Sequence, residues 1–538
     1  MEGNTIAEMH EATPSPSRDD TNQRTVTNTV LRVVLWGTAL LLVVWAVSSC
    51  WWPYGPDQAQ LAWVAEEITT GKALYRDVWD NNPPGAILQH ALMHILLGEI
   101  MWPSRVIDLV YLMVTVWALV AMSKAFGSPR AGPWAAILFL SFYAFHGFGP
   151  SCQRDGWAAM QITWAIALVL TRPTTLRCAL AGLLLSIAAC FKPPFLLAMV
   201  PVTVLIAKSG VSAESPGRTI SRLAALILPI VCAAFVLFAW LSSTGALSDA
   251  FEQVVVFNKR IYGSRSFPFS TAPLAILERL GEMLHLLILG VAGSTYLSAR
   301  AERRQYLSIG LLWPIIALVI VLVQYRFFTH HWYALVISLS LLAGIGLQGL
   351  VETLRGAPTT SRRLWSSVVL VIVFAGLLRP CLFLLRDTQL WLTDVVVKRD
   401  YDQYLSRFGR FLDEQSTAEY LDAHTSPRDS FQVWGLAPIV NLLSQRPIAS
   451  HFGHTVYVFS DFNEELNPKL FAKYIDQFLQ DMSLNRPTYL VVDLKTEGWW
   501  KPIEEIPRID QYVKSNYAHE TQIGSLLVLR STTAERQR

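Results

Sequence analysis

Eleven predominantly apolar segments run through the first 390 residues, at 30–50, 105–123, 132–149, 156–171, 177–191, 194–207, 222–242, 280–298, 306–323, 332–350 and 365–385. Crossing the hydrocarbon core of a bilayer takes about 20 such residues in a helix. No water is present there, so every backbone N–H and C=O must be satisfied inside the segment, and the helix is the only solution for a run of this kind. Hydrophobic residues make up 52% of the 538 positions and charged ones 16%, against about 25% charge in soluble domains. The chain is expected to be an α-helical polytopic membrane protein. Its formal net charge of +3 gives no support to nucleic-acid binding.

The basic residues fix the sidedness. With the N-terminus placed in the cytoplasm beside Arg18, Arg24 and Arg32, the spans alternate. Lys124 and Arg130, Arg172 and Arg177, Lys208, Arg218 and Arg222, Arg300, Arg303 and Arg304, and Arg355, Arg362 and Arg363 then all fall in cytoplasmic loops. This agreement settles the apolar stretch at 85–102. Counted as a span, it would turn every later basic loop outward. It is therefore predicted to lie in the outer interface or to re-enter from outside, which makes 51–104 one long external loop. Within that loop Leu61, Val64, Ala65 and Ile68 repeat at helical spacing, with Pro56 suited to the start and Gly71 to the end.

The domain plan follows. Residues 1–28 are polar and predicted to be a disordered cytoplasmic tail. No small-residue cleavage site follows, so the first apolar run is expected to stay as a span. Residues 29–390 form the transmembrane domain, in which the short segments around "FKPPF" (191–195) read as a broken helix pair. Composition turns polar after 385. "SFQVWG" (430–435), "TYLVVDL" (488–494) and "SLLVLR" (525–530) read as strands, and "PKLFAKYIDQFLQDM" (468–482) as an amphipathic helix. An extracytoplasmic α/β domain is expected over 400–531. The six cysteines show no CxxC pattern, so neither a disulfide framework nor a zinc site is expected. His90 and His94, four apart, are read as interfacial residues rather than metal ligands.

A second set of charges breaks the positive-inside pattern. The external side carries Asp57, Asp77, Asp80, Arg154, Asp155, Lys192, Lys259, Arg260, Arg265 and Arg326, several of them at span ends in "SCQRDGW" (151–157), "FKPPF" and "QYRFFTHHWY" (324–333). Taken singly, these have ordinary explanations: a helix N-terminal carboxylate, a snorkelling Lys or Arg, a local ion pair. Together, carboxylates and cations meet on one side near the ends of different spans, where charge is costly and faces a cavity or a partner. Cations suit the phosphate of a lipid carrier. A carboxylate suits a general base that takes a proton from an attacking hydroxyl or amine. Both needs occur in sugar transfer from a polyprenyl-phosphate donor. Tyr54, Asp80, Asn81, Asn82 and His330 complete the expected substrate-binding set.

The order of these features resembles the membrane-embedded GT-C glycosyltransferases, in particular the branch of the protein O-mannosyltransferases and the lipid A aminoarabinose transferase. The shared order is a first span, an external loop opening with an acidic residue (Asp57), "YRDVWDNNPPG", an interfacial helix ending "ILLG", and a span starting near Arg105. "YRFFTHHWYALVISLSLLAGIGL" resembles a late-span signature of that group, and "DSFQVWGLAPIVNLLSQRPIASHF" the start of its external domain. The resemblance implies that Asp57 is catalytic, that Asp155 orients the acceptor or the base, and that Arg154, Lys192, Arg260, Arg265 and Arg326 are candidates for the donor phosphate. Some members of that group use a metal, but no convincing ligand cluster is present in this sequence, so no tightly bound metal or other cofactor is expected. The resemblance places the protein in the plasma (inner) membrane, with membrane lipid, the polyprenyl-phosphate sugar and an unidentified acceptor as partners. Two departures stand out. Gln58 follows Asp57 where Glu is common, and Asn81 and Asn82 stand where the family often has a phosphate-binding Lys. An O-antigen ligase or polymerase, which would use Arg326, His330 and His331 without Asp57, and a lipid-linked glycan transporter are the competing expectations.

Overall fold

A computed structural model describes residues 18–98, 101–211, 216–262, 272–325, 327–356, 360–495 and 499–532. Each of the eleven apolar segments carries helix. Among the described residues, five helices (Thr29–Ser49, Met101–Ala125, Pro216–Ser243, Ala301–Gln324 and Thr329–Thr353) are long and apolar enough to cross a membrane, and five shorter apolar helices accompany them.

The first helix, α1 (Arg18–Ser49), reaches back into the segment expected to be a disordered tail. A helix nucleated in the apolar run adds polar turns at little cost, because propagation fixes only one residue for each hydrogen bond gained. The external loop holds α2 (Pro56–Thr69) and α3 (Pro84–Leu97). Proline opens both, where its missing N–H costs nothing. Gly71 (φ 103°) and Gly98 (φ 72°) follow their ends in backbone conformations that only glycine adopts freely. In α3, Ala86, Ile87, His90 and Met93 are buried, whereas Leu92, Ile95 and Leu96 are exposed. One face therefore packs on protein and the other is exposed.

The chain continues with the helices α4 (Met101–Ala125), α5 (Ala131–Phe145), α6 (Arg154–Thr171) and α7 (Thr175–Phe191). Pro193 and Pro194 stop α7 at Phe191 and leave Lys192 extended (φ −159°, ψ 115°). A 3-10 turn, Pro193–Ala198, then leads into α8 (Met199–Val211), the broken pair read from "FKPPF". Next, α9 (Pro216–Ser243) runs into a wide helical segment, Phe251–Tyr262.

The C-terminal domain is built on a four-stranded sheet in the order β1 (Phe431–Trp434), β2 (Tyr489–Asp493), β4 (Leu526–Ser531), β3 (Tyr517–Ile523). The first two strands are parallel, and β4 pairs antiparallel with both β2 and β3. Strand β3, "YAHETQI", escaped the sequence reading because it is an edge strand with only Tyr517 buried, so it carries no apolar signal. The domain shares a hydrophobic core with α2 and α3: Leu61, Val64, Ile87, Val433, Val440 and Val528 belong to one cluster. Contact is close enough that a Cβ on Gly453 would lie 2.0 Å from the Trp63 ring. The Trp79 backbone N–H donates to the His451 carbonyl at 2.9 Å. Loop and domain therefore pack as one body.

Candidate active site

The site is built from element ends that meet on one side. Asp57 occupies the first turn of α2, Arg154 and Asp155 the first turn of α6, Lys192 the break after α7, and His330 and His331 the turn Thr329–Trp332 that leads into the helix Tyr333–Gly356. Three helix N-termini face this region, and the positive ends of their dipoles favour an anion there.

Asp57 is exposed, and its Oδ2 accepts a hydrogen bond from Gln153 Nε2 at 3.2 Å. Gln153 also donates to the Gly149 carbonyl at 3.0 Å. The neighbouring Gln58 is fully buried. Its amide donates to the carbonyls of Phe148 (3.0 Å), Gly149 (3.2 Å) and Ser151, while its Oε1 accepts from the Gly55 N–H. Buried Arg105 completes the seam by donating to Ser151 Oγ (2.6 Å) and the Pro53 carbonyl. These bonds hold the start of α2 against the loop that precedes α6. They also explain the Gln58 departure: a glutamate has no donor for three backbone carbonyls.

Asp155 is buried and binds Lys192 Nζ through both oxygens, at 2.9 and 3.0 Å. Lys192 Nζ also lies 3.2 Å from His331 Nε2. Arg154 Nε sits 3.7 Å from Asp155 Oδ2, and its Nη1 donates to Asn82 Oδ1. Asn82 stands where the resembling family often has lysine, so a cation from α6 reaches the place that the loop itself leaves uncharged. His330 is half-buried, within electrostatic range of Asp57, Asp155, Lys192 and Arg154. Asp57, Arg154, Asp155, Lys192, Asn82 and His330 are thus brought together.

Asp80 adjoins this group through the Asn82 N–H. Tyr54 is buried beneath the loop, its hydroxyl shared with Ser104 and its ring beside Arg105. Asn81 Nδ2 donates to Asn258 Oδ1 at 3.1 Å, tying the loop to the segment Phe251–Tyr262, where Arg260 is exposed. Arg265 and Arg326 lie outside the described residues. Sequence reasoning missed Gln153, although it adjoins the quoted Arg154–Asp155 pair. It also missed His454, a buried imidazole of the C-terminal domain that feels the charge of Asp57. Burial pushes the His454 imidazole down to about 4, with Asp57 opposing the shift. Nothing in the spacing of "HFGHT" signals that contact.

Asp80 is fully buried, accepts the Asn82 N–H at 2.7 Å, and is raised to about 6 by burial, against the pull of that hydrogen bond and of Arg154. An unfolded Asp titrates near 3.9. The folded state thus binds more protons between about pH 4 and 6, and stability falls as pH rises through that window. Asp80→Asn keeps an acceptor oxygen without the charge. Thermal melts in detergent are expected to show a flatter profile across this window and no loss of stability at pH 7. A variant profile parallel to that of the wild type would remove Asp80 as the cause.

No protein-family model matches the sequence, and no curated protein matches it. Solved structures do. ArnT from Cupriavidus metallidurans bound to undecaprenyl phosphate superposes with a TM-score of 0.56 at 14% identity, covering 93% of this chain and 98% of that one. Its apo state gives 0.52 at 13%, covering 94% and 99%. Near-complete coverage of both chains extends the likeness from the membrane helices through the C-terminal domain. The chain shares the fold of ArnT: a helical body with several helices long and apolar enough to cross a membrane, joined to a C-terminal α/β domain.

Proposed function

We propose that this protein is a glycosyltransferase that moves a sugar from a polyprenyl-phosphate donor to an extracytoplasmic lipid, glycan or protein acceptor. The observation that carries the reading is the pairing of an exposed carboxylate, Asp57, with a buried Asp155 held by Lys192 and Arg154, at a place where three helix N-termini gather. Asp57 accepts the proton of the acceptor hydroxyl or amine. The freed electron pair attacks the anomeric carbon with inversion, the bond from that carbon to the phosphate oxygen breaks, and lipid phosphate leaves. Arg154, with Lys192 and the helix N-termini behind it, opposes the charge that grows on the leaving phosphate. Arg260, Arg265 and Arg326 are further candidates for that anion. Asp155 keeps Lys192 and Arg154 in position, and His330 lies between the two carboxylates. ArnT, of the same fold, has been seen with undecaprenyl phosphate bound, and that lipid class is the carrier proposed for this chain.

The proposed location is the inner membrane with the N-terminus cytoplasmic and the C-terminal domain outside; the basic loops, and the core that this domain shares with the 51–104 loop, support that reading. Protein reconstituted in liposomes with a panel of polyprenyl-phosphate sugars and an envelope extract is expected to release free polyprenyl phosphate from one of them. Release from none, with folded protein, would overturn the reading.

A further inference from the structure

Asp155, His330 and His331 have the composition of a divalent-metal site. One donor atom from each lies within 4.8 Å of the other two, and carboxylate oxygen and imidazole nitrogen are the ligands that zinc and manganese take. Yet a cation already occupies this place. Lys192 Nζ sits 2.9 and 3.0 Å from the oxygens of Asp155 and 3.2 Å from His331 Nε2. An ammonium offers donors only, so in this contact His331 Nε2 accepts through its ring lone pair. A metal would need that same lone pair. Without the ammonium the ligand set would be nearly assembled: His331 Nε2 lies 4.0 Å from Asp155 Oδ2, against about 3.3 Å between ligands of a tetrahedral zinc with bonds near 2.0 Å.

The placement of Lys192 is built in. The side chains of Asp155 and His331 are 0% and 2% exposed, and that of Lys192 16%. The lysine is delivered by the forced break before Pro193 and Pro194, which holds its backbone extended. We propose that the Lys192 ammonium is a resident cation that takes the place of a divalent metal in the Asp155–His330–His331 cluster. It supplies one fixed positive charge behind the phosphate subsite and makes the site independent of metal supply. Only the transfer measurements below rest on the proposed glycosyltransferase reading. Metal uptake tests the cluster by itself, so failure of one can be told from failure of the other.

Metal content of purified protein dialysed against Mn2+ or Zn2+ decides it. Wild-type protein is expected to hold no ion that depends on His331, and its transfer activity to survive EDTA. Lys192→Ala is expected to take up one ion per chain and to lose it again when His331→Gln is added. Its transfer rate should fall by about a hundredfold and recover in part on adding Mn2+, as a metal replaces the missing charge. A wild-type ion that His331→Gln removes would overturn the proposal, and so would a folded Lys192→Ala protein that takes up none. The wild-type measurement decides the question if the variant does not fold.

Discussion

Asp57→Asn is expected to lower sugar transfer by about a thousandfold, within the range of a lost general base, and to leave the protein's yield, detergent elution and melting temperature unchanged. The separation of the two effects follows from where Asp57 sits. Its neighbours in sequence and space are structural: Gln58 is locked into carbonyls of the 148–151 loop, and Arg105 braces the same seam. Asp57 itself is exposed and makes a single described hydrogen bond, from Gln153 Nε2. An asparagine keeps the size and can still accept that bond through its Oδ1, so the fold loses nothing. What it cannot do is take a proton. Asp155→Asn, in contrast, would leave the Lys192 ammonium without its anionic partner in a buried place, and stability and activity should fall together. An Asp57→Asn enzyme of full activity would remove Asp57 from the chemistry and favour a ligase- or polymerase-type reaction centred on His330.

Gly346→Leu is expected to abolish folded protein. Helices Leu284–Ser298 and Tyr333–Gly356 meet through reciprocal glycines. A Cβ on Gly346 would stand 2.1 Å from the Leu289 carbonyl oxygen, and one on Gly293 would stand 2.1 Å from that of Leu342. Both obstructions are main chain, which cannot rotate away, so the helices would have to part. In a membrane, where apolar faces gain nothing by leaving lipid, such close small-residue contact is what holds helices together. Overpacking that a side chain can absorb costs about 1–3 kcal/mol, and here no side chain can yield. Gly281→Ala is the matched control, since nothing lies within 4 Å of its added Cβ. Monodisperse Gly346→Leu protein with wild-type melting would show that the two helices are not in contact at this place.

What the sequence revealed and what it hid divide along physical lines. The apolar helices were legible because hydrocarbon leaves the backbone no alternative to helix, and the expected sidedness rests on the clustering of Lys and Arg in alternate short loops. The expectation that α3 is interfacial came from that charge count, not from its apolarity, which is that of a span. In the site, Asp57, Arg154, Asp155 and Lys192 stood out as charges where charge is expensive. The partner of Asp57, Gln153, did not, and Gln58 stood out only as a departure beside Asp57: both are uncharged, and their importance lies in which carbonyls and carboxylates they meet across about a hundred residues of chain. His331 was visible only as an aromatic-belt residue or as part of the competing ligase reading, and its contact with Lys192 joins positions 139 residues apart. Tyr54 was misleading in the opposite sense: an aromatic beside the acidic opening of the loop looked like a substrate contact, but it serves as packing against Arg105 and Ser104.

Electron cryomicroscopy of the protein in nanodiscs with a polyprenyl phosphate tests most directly whether one pocket serves donor and base. The phosphate is expected within hydrogen-bond reach of Arg154 at the rim of the Asp155–Lys192 pair, with Asp57 facing the open side where a sugar would lie. A phosphate held instead at a different surface, such as the groove lined by Trp51, Trp102, Arg399 and Tyr401, with the Asp57 region empty of lipid, would contradict it.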